Sequence, residues 1–296
     1  MFGRGLMRSA RSRLGKGFSF EERILACQAA VETAPYGMRG RWKHWLSKAQ
    51  REAGQTRAIP FDEVRLDLGC GKGHFTVECA KQNPGILFVG VDVEELCILR
   101  SAELAVKEGV ENVVFVLDRF PTLKDMFAPG ELSQIFLMFP TPFPKKKYAE
   151  KRTVIAERLA GYRRLLEHGG LVRFETDSQP LFDFGRIQFD LAGFDVLWET
   201  RDLEADYPSL IAGEYKQRLT ARGACVHALL ARNGEVPVPE EGSIMHEEPL
   251  SLIDYLPDDL EGMEYVPHGM EGCVTNMRNR RRNERARKRR EEARLK

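Results

Sequence analysis

An aspartate near the end of a strand-like run and three glycines that follow it form the first pattern in this sequence that could do chemistry. The run Leu66-Asp67-Leu68-Gly69-Cys70-Gly71-Lys72-Gly73 precedes a helical stretch that opens at Phe75. Glycines at alternate positions allow a tight turn and let a ligand approach the backbone closely. A dinucleotide-binding turn would need a further glycine at position 74, where this chain has His74. The spacing therefore argues against an oxidoreductase.

Two further aspartates stand where the next two strands are predicted to end. Asp92 closes the second strand and Asp118 follows the third, so both are expected beside the glycine turn at one edge of the sheet. S-adenosylmethionine (SAM) carries hydroxyls, an amino group and a sulfonium cation, which suit carboxylate oxygens. The turn resembles the first motif of SAM-dependent methyltransferases and predicts SAM as the cofactor. The expected contacts are Asp67, Gly69, Gly71, Gly73, Asp92 and Asp118.

A proline-stiffened loop follows the fourth predicted strand. It reads Phe139-Pro140-Thr141-Pro142-Phe143-Pro144-Lys145-Lys146-Lys147-Tyr148, and the basic pair Lys151-Arg152 comes shortly after it. Prolines fix the backbone at low entropic cost, Phe143 can stack on an apolar face, and the lysines can meet phosphates. These properties predict a loop that receives a nucleic-acid acceptor, with a plain surface loop as the alternative.

At this loop the chain resembles the bacterial tRNA (guanine-N7)-methyltransferase family, whose loop has the general form F-x-D-P-W-P-K followed by basic residues and K-R. The resemblance runs from about Gly40 to Arg232 and includes the glycine turn, the strand end Phe174-Glu175-Thr176-Asp177 and the run Gly213-Glu214-Tyr215-Lys216. It implies methyl transfer from SAM to guanosine in the variable loop of tRNA, usually at position 46. The implied substrate contacts are Lys145, Asp177, Gly213, Glu214 and Lys216, and the implied catalytic positions are Thr141 and Asp177.

The chain departs from the family pattern at four positions. Thr141 replaces the loop aspartate, Phe143 replaces the tryptophan, and Gly213 and Lys216 replace the ends of a late T-x-x-E motif. Guanine N7 has a lone pair and no proton, so methyl transfer needs no general base at that atom. Alignment can contribute about 7–11 kcal/mol, and a lost hydrogen bond removes about 1–3 kcal/mol. We expect a slower but active enzyme; the alternative is a catalytically weakened or inactive RNA-binding relative.

The elements that position these residues follow from the hydrophobic pattern. Short apolar runs alternate with amphipathic stretches, which predicts an α/β, doubly wound, Rossmann-like methyltransferase fold with a mostly parallel seven-stranded sheet and an antiparallel last strand. Gly169 and Gly170 predict a helix end. Residues 201–222 are predicted as a long loop without a clear helix, a candidate lid over substrate or cofactor, with a flexible insertion as the alternative. The predicted strands are 64–68, 87–92, 113–117, 134–139, 171–175, 194–199 and 225–231, and the predicted helices include 94–108, 155–166 and 179–191.

Composition divides the chain into four predicted parts. Residues 1–60 are a basic N-terminal extension with a lead-in helix, and residues 61–234 are the SAM-dependent methyltransferase domain. Residues 235–272 form an acidic, Pro- and Gly-rich linker without Lys or Arg, which we expect to be disordered or loosely docked. Residues 273–296 are an Arg-rich tail that suits phosphate backbones. Two alternatives stay open: the tail is a solvated charged helix, or the acidic linker screens it until RNA competes.

Composition also argues against several other classes of protein. The 296 residues carry a formal net charge of +1 and are 43% hydrophobic, yet no run approaches the roughly 18 apolar residues of a membrane helix. The six cysteines lack metal-ligand spacing, so we expect free thiols and no metal. The histidines lack a hydrolase-like pattern, and the lysine cluster argues against a small-molecule or protein substrate. We expect a cytoplasmic monomer or homodimer that binds SAM and tRNA and no membrane.

Overall fold

The computed structural model describes residues 19–118, 123–211 and 213–294. The first 18 residues of the predicted N-terminal extension and the last two residues of the predicted tail lie outside the described residues. The chain forms two compact units, Met1–Leu132 and Ser133–Lys296. None of the helices in the described ranges has the length and apolar character that crossing a membrane would require.

Seven strands form one mostly parallel sheet in the order β3-β2-β1-β4-β5-β7-β6. β7 runs antiparallel to both β5 and β6, so the predicted α/β sheet with an antiparallel last strand is confirmed. The fourth strand ends one residue earlier than predicted because Phe139 has a φ of 52°. The strands are β1 (Glu63–Leu68), β2 (Ile86–Asp92), β3 (Val113–Leu117), β4 (Leu132–Met138), β5 (Leu166–Thr176), β6 (Phe194–Thr200) and β7 (His227–Asn233).

The first unit builds its core on the near-continuous apolar runs of β2 and β3 and on the alternating apolar residues of β1. Val64, Val89 and Val114 are fully buried, as expected for parallel strands covered on both faces. A capping box between Ser47 and Gln50 starts one of the short helices. The longest helix of this unit ends at Gly109, which has a positive φ. The described helices are α1 (Phe20–Ala26), α2 (Lys48–Glu52), α3 (His74–Gln82), α4 (Glu95–Glu108) and α5 (Leu123–Met126).

The second unit packs aromatic side chains against β5. Phe174 on this strand stacks on Phe182 and Phe189, each with ring centroids 6.2 Å apart. Ser178 caps the helix that carries both rings by accepting a hydrogen bond from the Leu181 amide. Its described helices are α6 (Ala156–Leu165), α7 (Gln179–Leu191), α8 (Leu203–Asp206), α9 (Glu214–Thr220) and α10 (Glu271–Arg294).

The predicted helix end at Gly169 and Gly170 is wrong. α6 ends at Leu165, and the backbone is already extended at Leu166, with φ of −75° and ψ of 139°. Both glycines lie within β5, where Gly169 has a φ of 76°. A glycine with positive φ is common to helix ends and to irregular strands, so the sequence could not distinguish the two.

The prediction of a loop without a helix at residues 201–222 is also wrong. α8 and α9 lie in this segment. Asp202 caps α8 by accepting a hydrogen bond from the Ala205 amide, and Leu203 packs in a buried cluster with Val226 and Ala228. Helices of one or two turns give too short a periodic pattern to detect. The role of this segment as a lid stays a prediction.

Residues 235–270, called here the C-terminal segment, are docked in the second unit, so of the two expectations for the acidic linker, disorder or loose docking, disorder is wrong. Leu252 and Leu260 are almost completely buried, and the Leu252 amide donates to the Pro144 carbonyl at 2.9 Å. His246 lies 2.8 Å from a carboxylate oxygen of Glu157. The acidic composition gave no sign of these few buried apolar residues, which lie in a segment whose regular secondary structure includes the 3-10 turn Leu252–Tyr255.

Candidate functional site

The glycine turn between β1 and α3 has the backbone conformation that its residue types require. Gly69, Gly71 and Gly73 have φ values of 86°, 56° and 76°, which residues other than glycine rarely adopt. At the last of these a Cβ would overlap Cβ of Ser101 and lie 3.0 Å from Cζ of Phe115, whereas the first two have open space beside them. The turn therefore leaves its backbone accessible and lets α4 approach closely.

Asp67 is buried at the end of β1 with one of its two carboxylate oxygens unsatisfied. Oδ2 accepts a hydrogen bond from the Thr76 hydroxyl at 2.6 Å, and Oδ1 has no hydrogen-bond partner among the described residues. Burial raises the pKa of Asp67 to about 7, and the nearby charge of Asp92 adds to this rise. An unsatisfied buried oxygen is costly, so a ligand that donates a hydrogen bond here would be stabilised.

Asp92 and Asp118 complete a connected group of carboxylates. Asp92 accepts hydrogen bonds from the amides of Gly71 and Glu94, both at 2.9 Å, and this bonding braces the glycine turn. The Asp118 amide donates to the Asp92 carbonyl at 3.1 Å. The structure thus brings together all six residues predicted to hold the cofactor, and their acceptor oxygens fit the hydroxyl and amino donors of SAM.

Tyr36 contributes a contact to this group that sequence analysis missed. Its hydroxyl donates to Oδ2 of Asp118 at 2.5 Å. The residue lies in a 3-10 turn, Pro35–Met38, and precedes the region of family resemblance. Only its aromatic type could have suggested a functional role, because no motif surrounds it.

The acceptor loop holds a strained backbone around a buried arginine. Phe139 and Phe143 have φ values of 52° and 45°, uncommon for residues with a side chain. Arg152 is fully buried and donates to the carbonyls of Pro142 at 3.0 Å, Phe143 at 2.7 Å and Leu250 at 2.9 Å. Burial lowers the pKa of this guanidinium to about 10. Arg152 is therefore a scaffold of the loop and not part of an exposed basic cluster.

The lysines of the loop remain exposed, as does Thr141. Lys145 directly precedes the 3-10 turn Lys146–Lys151. The ammonium groups of Lys147 and Lys151 lie 4.9 and 5.0 Å from the ring centre of Tyr148. Exposed ammonium groups at fixed positions suit phosphate oxygens, and their contact with a substrate stays a prediction.

Asp177 lies just beyond the end of β5 in an aromatic environment. Its Oδ2 accepts hydrogen bonds from the Tyr265 hydroxyl at 2.6 Å and the His268 amide at 3.2 Å. Burial and the charge of Asp177 raise the pKa of Tyr215, whose ring lies edge-on to Phe139 at 5.3 Å. Tyr265 and His268 were missed because they lie beyond the region of family resemblance.

The remaining predicted substrate contacts lie at the start of α9. Gly213 precedes the helix, and Glu214 is exposed in its first turn. Lys216 is only 2% exposed, and its ammonium group is 3.0 Å from a carboxylate oxygen of Glu204. Its role as a substrate contact stays a prediction.

No cluster of metal-ligating side chains occurs in the described ranges. All six cysteines are free.

Comparison with known proteins identifies the family. A family model described as "Putative methyltransferase" matches residues 62–229. Three proteins named tRNA (guanine-N(7)-)-methyltransferase are similar to this chain. The one from Lachnoclostridium phytofermentans is 33% identical over 174 residues, 57% of this chain and 79% of that protein. Those from Listeria monocytogenes serotype 4b and Streptococcus pneumoniae (strain CGSP14) are 31% identical over 170 and 28% over 169 residues, with coverage of 57% of this chain and 79% and 80% of theirs. The chain belongs to the methyltransferase family that contains these tRNA (guanine-N7)-methyltransferases, as the acceptor loop predicted.

Proposed function

We propose that this protein transfers a methyl group from SAM to N7 of a guanosine in tRNA, at position 46 of the variable loop. The observation that supports SAM as the cofactor best is the carboxylate group around the glycine turn, where Asp67 keeps one buried oxygen unsatisfied. Relatives named for this reaction support guanine N7 as the acceptor. The cytoplasm as its location and a monomeric or homodimeric state stay predictions.

The residues of the first unit would hold SAM by its hydrogen-bond donors. We assign the amino group of the cofactor to Asp67, the ribose hydroxyls to Asp92 and the adenine edge to Asp118. Gly69 and Gly71 leave space for a ligand against the backbone. When bound, SAM supplies an electrophilic methyl group on a sulfonium centre.

The second unit would hold the guanine. A carboxylate can accept hydrogen bonds from the N1 and N2 donors of guanine, and Asp177 offers one at the end of β5. No residue has to remove a proton, since N7 carries none. Thr141 brings no charge to the loop, so Asp177 and Glu214 are the acidic groups available at the predicted acceptor positions. This loss predicts a slower transfer than a complete set of acids would give.

Helix α10 supports RNA as the substrate. Arg278, in its N-terminal half, anchors the helix by donating to the carbonyls of Leu260 at 2.7 Å and Met263 at 3.1 Å. The 24-residue helix extends for about 36 Å. Arg282 and Arg285 are exposed along it. An anchored helix with exposed arginines suits the phosphates of a folded RNA and carries little base information.

The test is transfer of labelled methyl from SAM to unmodified tRNA transcripts, with nucleoside analysis of the product. We expect N7-methylguanosine in transcripts that carry guanosine 46 and none in matched transcripts with adenosine at that position. Methylation at another guanosine would contradict the assigned position. SAM and tRNA binding without transfer would favour the alternative, an inactive RNA-binding relative, for which Thr141, Gly213 and Lys216 are the supporting observations.

A further inference from the structure

The C-terminal segment reaches the predicted guanine-binding carboxylate, although it lies outside the residues matched by the family model. We propose that Tyr265 is a positioning residue that holds Oδ2 of Asp177 and so presents Oδ1 to the acceptor base. This inference rests on the proposed function and adds to it a residue that the family pattern does not contain.

The bonding of Asp177 is divided unequally between its two oxygens. Oδ2 accepts both the Tyr265 hydroxyl and the His268 amide, while no described residue donates to Oδ1. A hydrogen bond to a charged acceptor at 2.6 Å is strong and directional. It fixes the plane of the carboxylate and leaves the second oxygen available for the donors of a base.

The phenol remains a donor over the working pH range. Burial and its hydrogen bond to Asp177 raise the pKa of Tyr265 well above that of a free tyrosine. The contact therefore does not disappear at mildly alkaline pH. The geometry of the contact, and not the titration of Tyr265, carries the inference.

The residues that follow Tyr265 lie against the acceptor loop. Met270 and Val274, which follow Tyr265 in the chain, are buried. Gly269 has a φ of 82°, and a Cβ there would lie 3.0 Å from Cγ of Pro142 in the acceptor loop. Its amide donates to Glu271 at 2.7 Å. The C-terminal segment thus packs directly against the loop that is predicted to receive the guanosine.

The departures from the family pattern explain why this support matters. The loop acid is replaced by Thr141, and the late acid is replaced by Lys216, which is buried and paired with Glu204. Fewer carboxylates remain to hold the base, so the orientation of Asp177 carries more of the alignment. Alignment is the main protein contribution to a reaction that needs no general base.

The test compares two tyrosines of the C-terminal segment. Tyr265→Phe removes the hydroxyl that contacts Asp177, whereas Tyr255→Phe removes a buried hydroxyl that has no hydrogen-bond partner among the described residues. We expect Tyr265→Phe to lower kcat for tRNA methylation roughly 10-fold or more, with an unchanged KM for SAM. Tyr255→Phe should match the wild type. Equal rates for the two variants would overturn the inference, and a faster Tyr265→Phe would show that the segment blocks the base.

A double-mutant cycle separates positioning from a general structural effect. If Tyr265 acts through Asp177, Tyr265→Phe should change the rate less than about two-fold in an Asp177→Ala background, which lacks the oxygen that accepts its hydroxyl. Independent, multiplicative losses would contradict the inference.

Binding of guanosine 5′-monophosphate distinguishes failure of this inference from failure of the proposed function. We expect Tyr265→Phe to weaken this binding several-fold relative to Tyr255→Phe, even if no methyl is transferred. A wild type that binds the nucleotide without transfer would contradict only the proposed activity. A wild type that does not bind it, or equal affinities in the two variants, would overturn the role of Tyr265.

Discussion

The two units differ in how closely they follow their expected pattern. In the first unit, the glycine turn and the three aspartates match the residue pattern expected for binding SAM. Hydrogen bonds connect Asp92 both to the glycine turn and to Asp118. In the second unit, the acceptor pattern has lost two acids. Of the two carboxylates left at the predicted acceptor positions, Asp177 accepts hydrogen bonds from Tyr265 and His268, which belong to no recognised motif.

The difference reflects the structural requirements of the predicted cofactor site in the first unit, called here the cofactor half, and of the predicted acceptor site in the second unit, called here the acceptor half. The cofactor half depends on backbone conformation and on close approach of a helix, requirements that only glycine meets at particular positions. The acceptor half depends on hydrogen-bonding side chains, which another segment can replace or support. Substitutions that affect one unit and not the other test this contrast.

The largest effect is expected at Gly73. Gly73→Ala would combine an unfavourable φ with a collision against Ser101 on α4, so we expect a loss of at least about 3 kcal/mol of unfolding free energy and no detectable SAM binding. Gly109→Ala is the matched control, because Gly109 has a similar φ and open space around it. It should cost only about 1 kcal/mol. Urea unfolding and cofactor titration would measure both, and equal losses would contradict the packing argument.

Arg152→Met should disturb the acceptor half alone. The substitution removes the hydrogen bonds that hold the carbonyls of Pro142, Phe143 and Leu250, at a cost of about 2–4 kcal/mol. Lys151→Met, an exposed neighbour, should change stability by less than about 0.5 kcal/mol. Urea unfolding measures stability, and calorimetry measures SAM affinity. Retained SAM affinity with lost tRNA methylation is expected for Arg152→Met, whereas lost SAM affinity would show that the two functions cannot be separated.

Asp67 should make the stability of the cofactor-free protein depend on pH. Its pKa is raised to about 7 by burial, above an unfolded value of about 3.9. The stability that protonated Asp67 contributes is therefore fully present below about pH 4 and lost as pH rises through 7, and a shift of about three pKa units corresponds to a change of about 4 kcal/mol. Thermal unfolding of wild type and Asp67→Asn across this range measures it. The stability of the wild type relative to Asp67→Asn should fall with rising pH, and a constant difference would contradict the raised pKa.

The fold and the cofactor half could be predicted from the sequence because their determinants are local and periodic. Apolar runs of β-strand length and glycines at alternate positions gave the sheet and the turn. By contrast, Gly169 gave a misleading helix end, since positive φ also occurs in an irregular strand. A glycine in the sequence indicates that a positive φ is possible there, but it does not indicate whether the residue ends a helix or lies within a strand.

The contacts of the C-terminal segment were beyond sequence analysis for a different reason. Tyr265 is 88 residues from Asp177 along the chain, and the acidic composition around it indicated disorder or loose docking. Docking depends on isolated apolar residues such as Leu252 and Leu260, which have no periodicity. The burial of Arg152 was not predictable either, because a basic neighbourhood in sequence does not reveal that one guanidinium is buried among carbonyls.

The smallest expected effect is a gain at position 141. Thr141 is exposed, so Thr141→Asp should leave the unfolding free energy nearly unchanged while it restores a carboxylate to the acceptor loop. One additional hydrogen bond to the base would raise kcat/KM for tRNA up to about 10-fold. Thr141→Asn controls for size without charge and should give a smaller gain. Methyl transfer to tRNA measures all three proteins. A neutral result for Thr141→Asp would mean that the acceptor region no longer uses the loop position and has been rebuilt around Asp177 and the C-terminal segment.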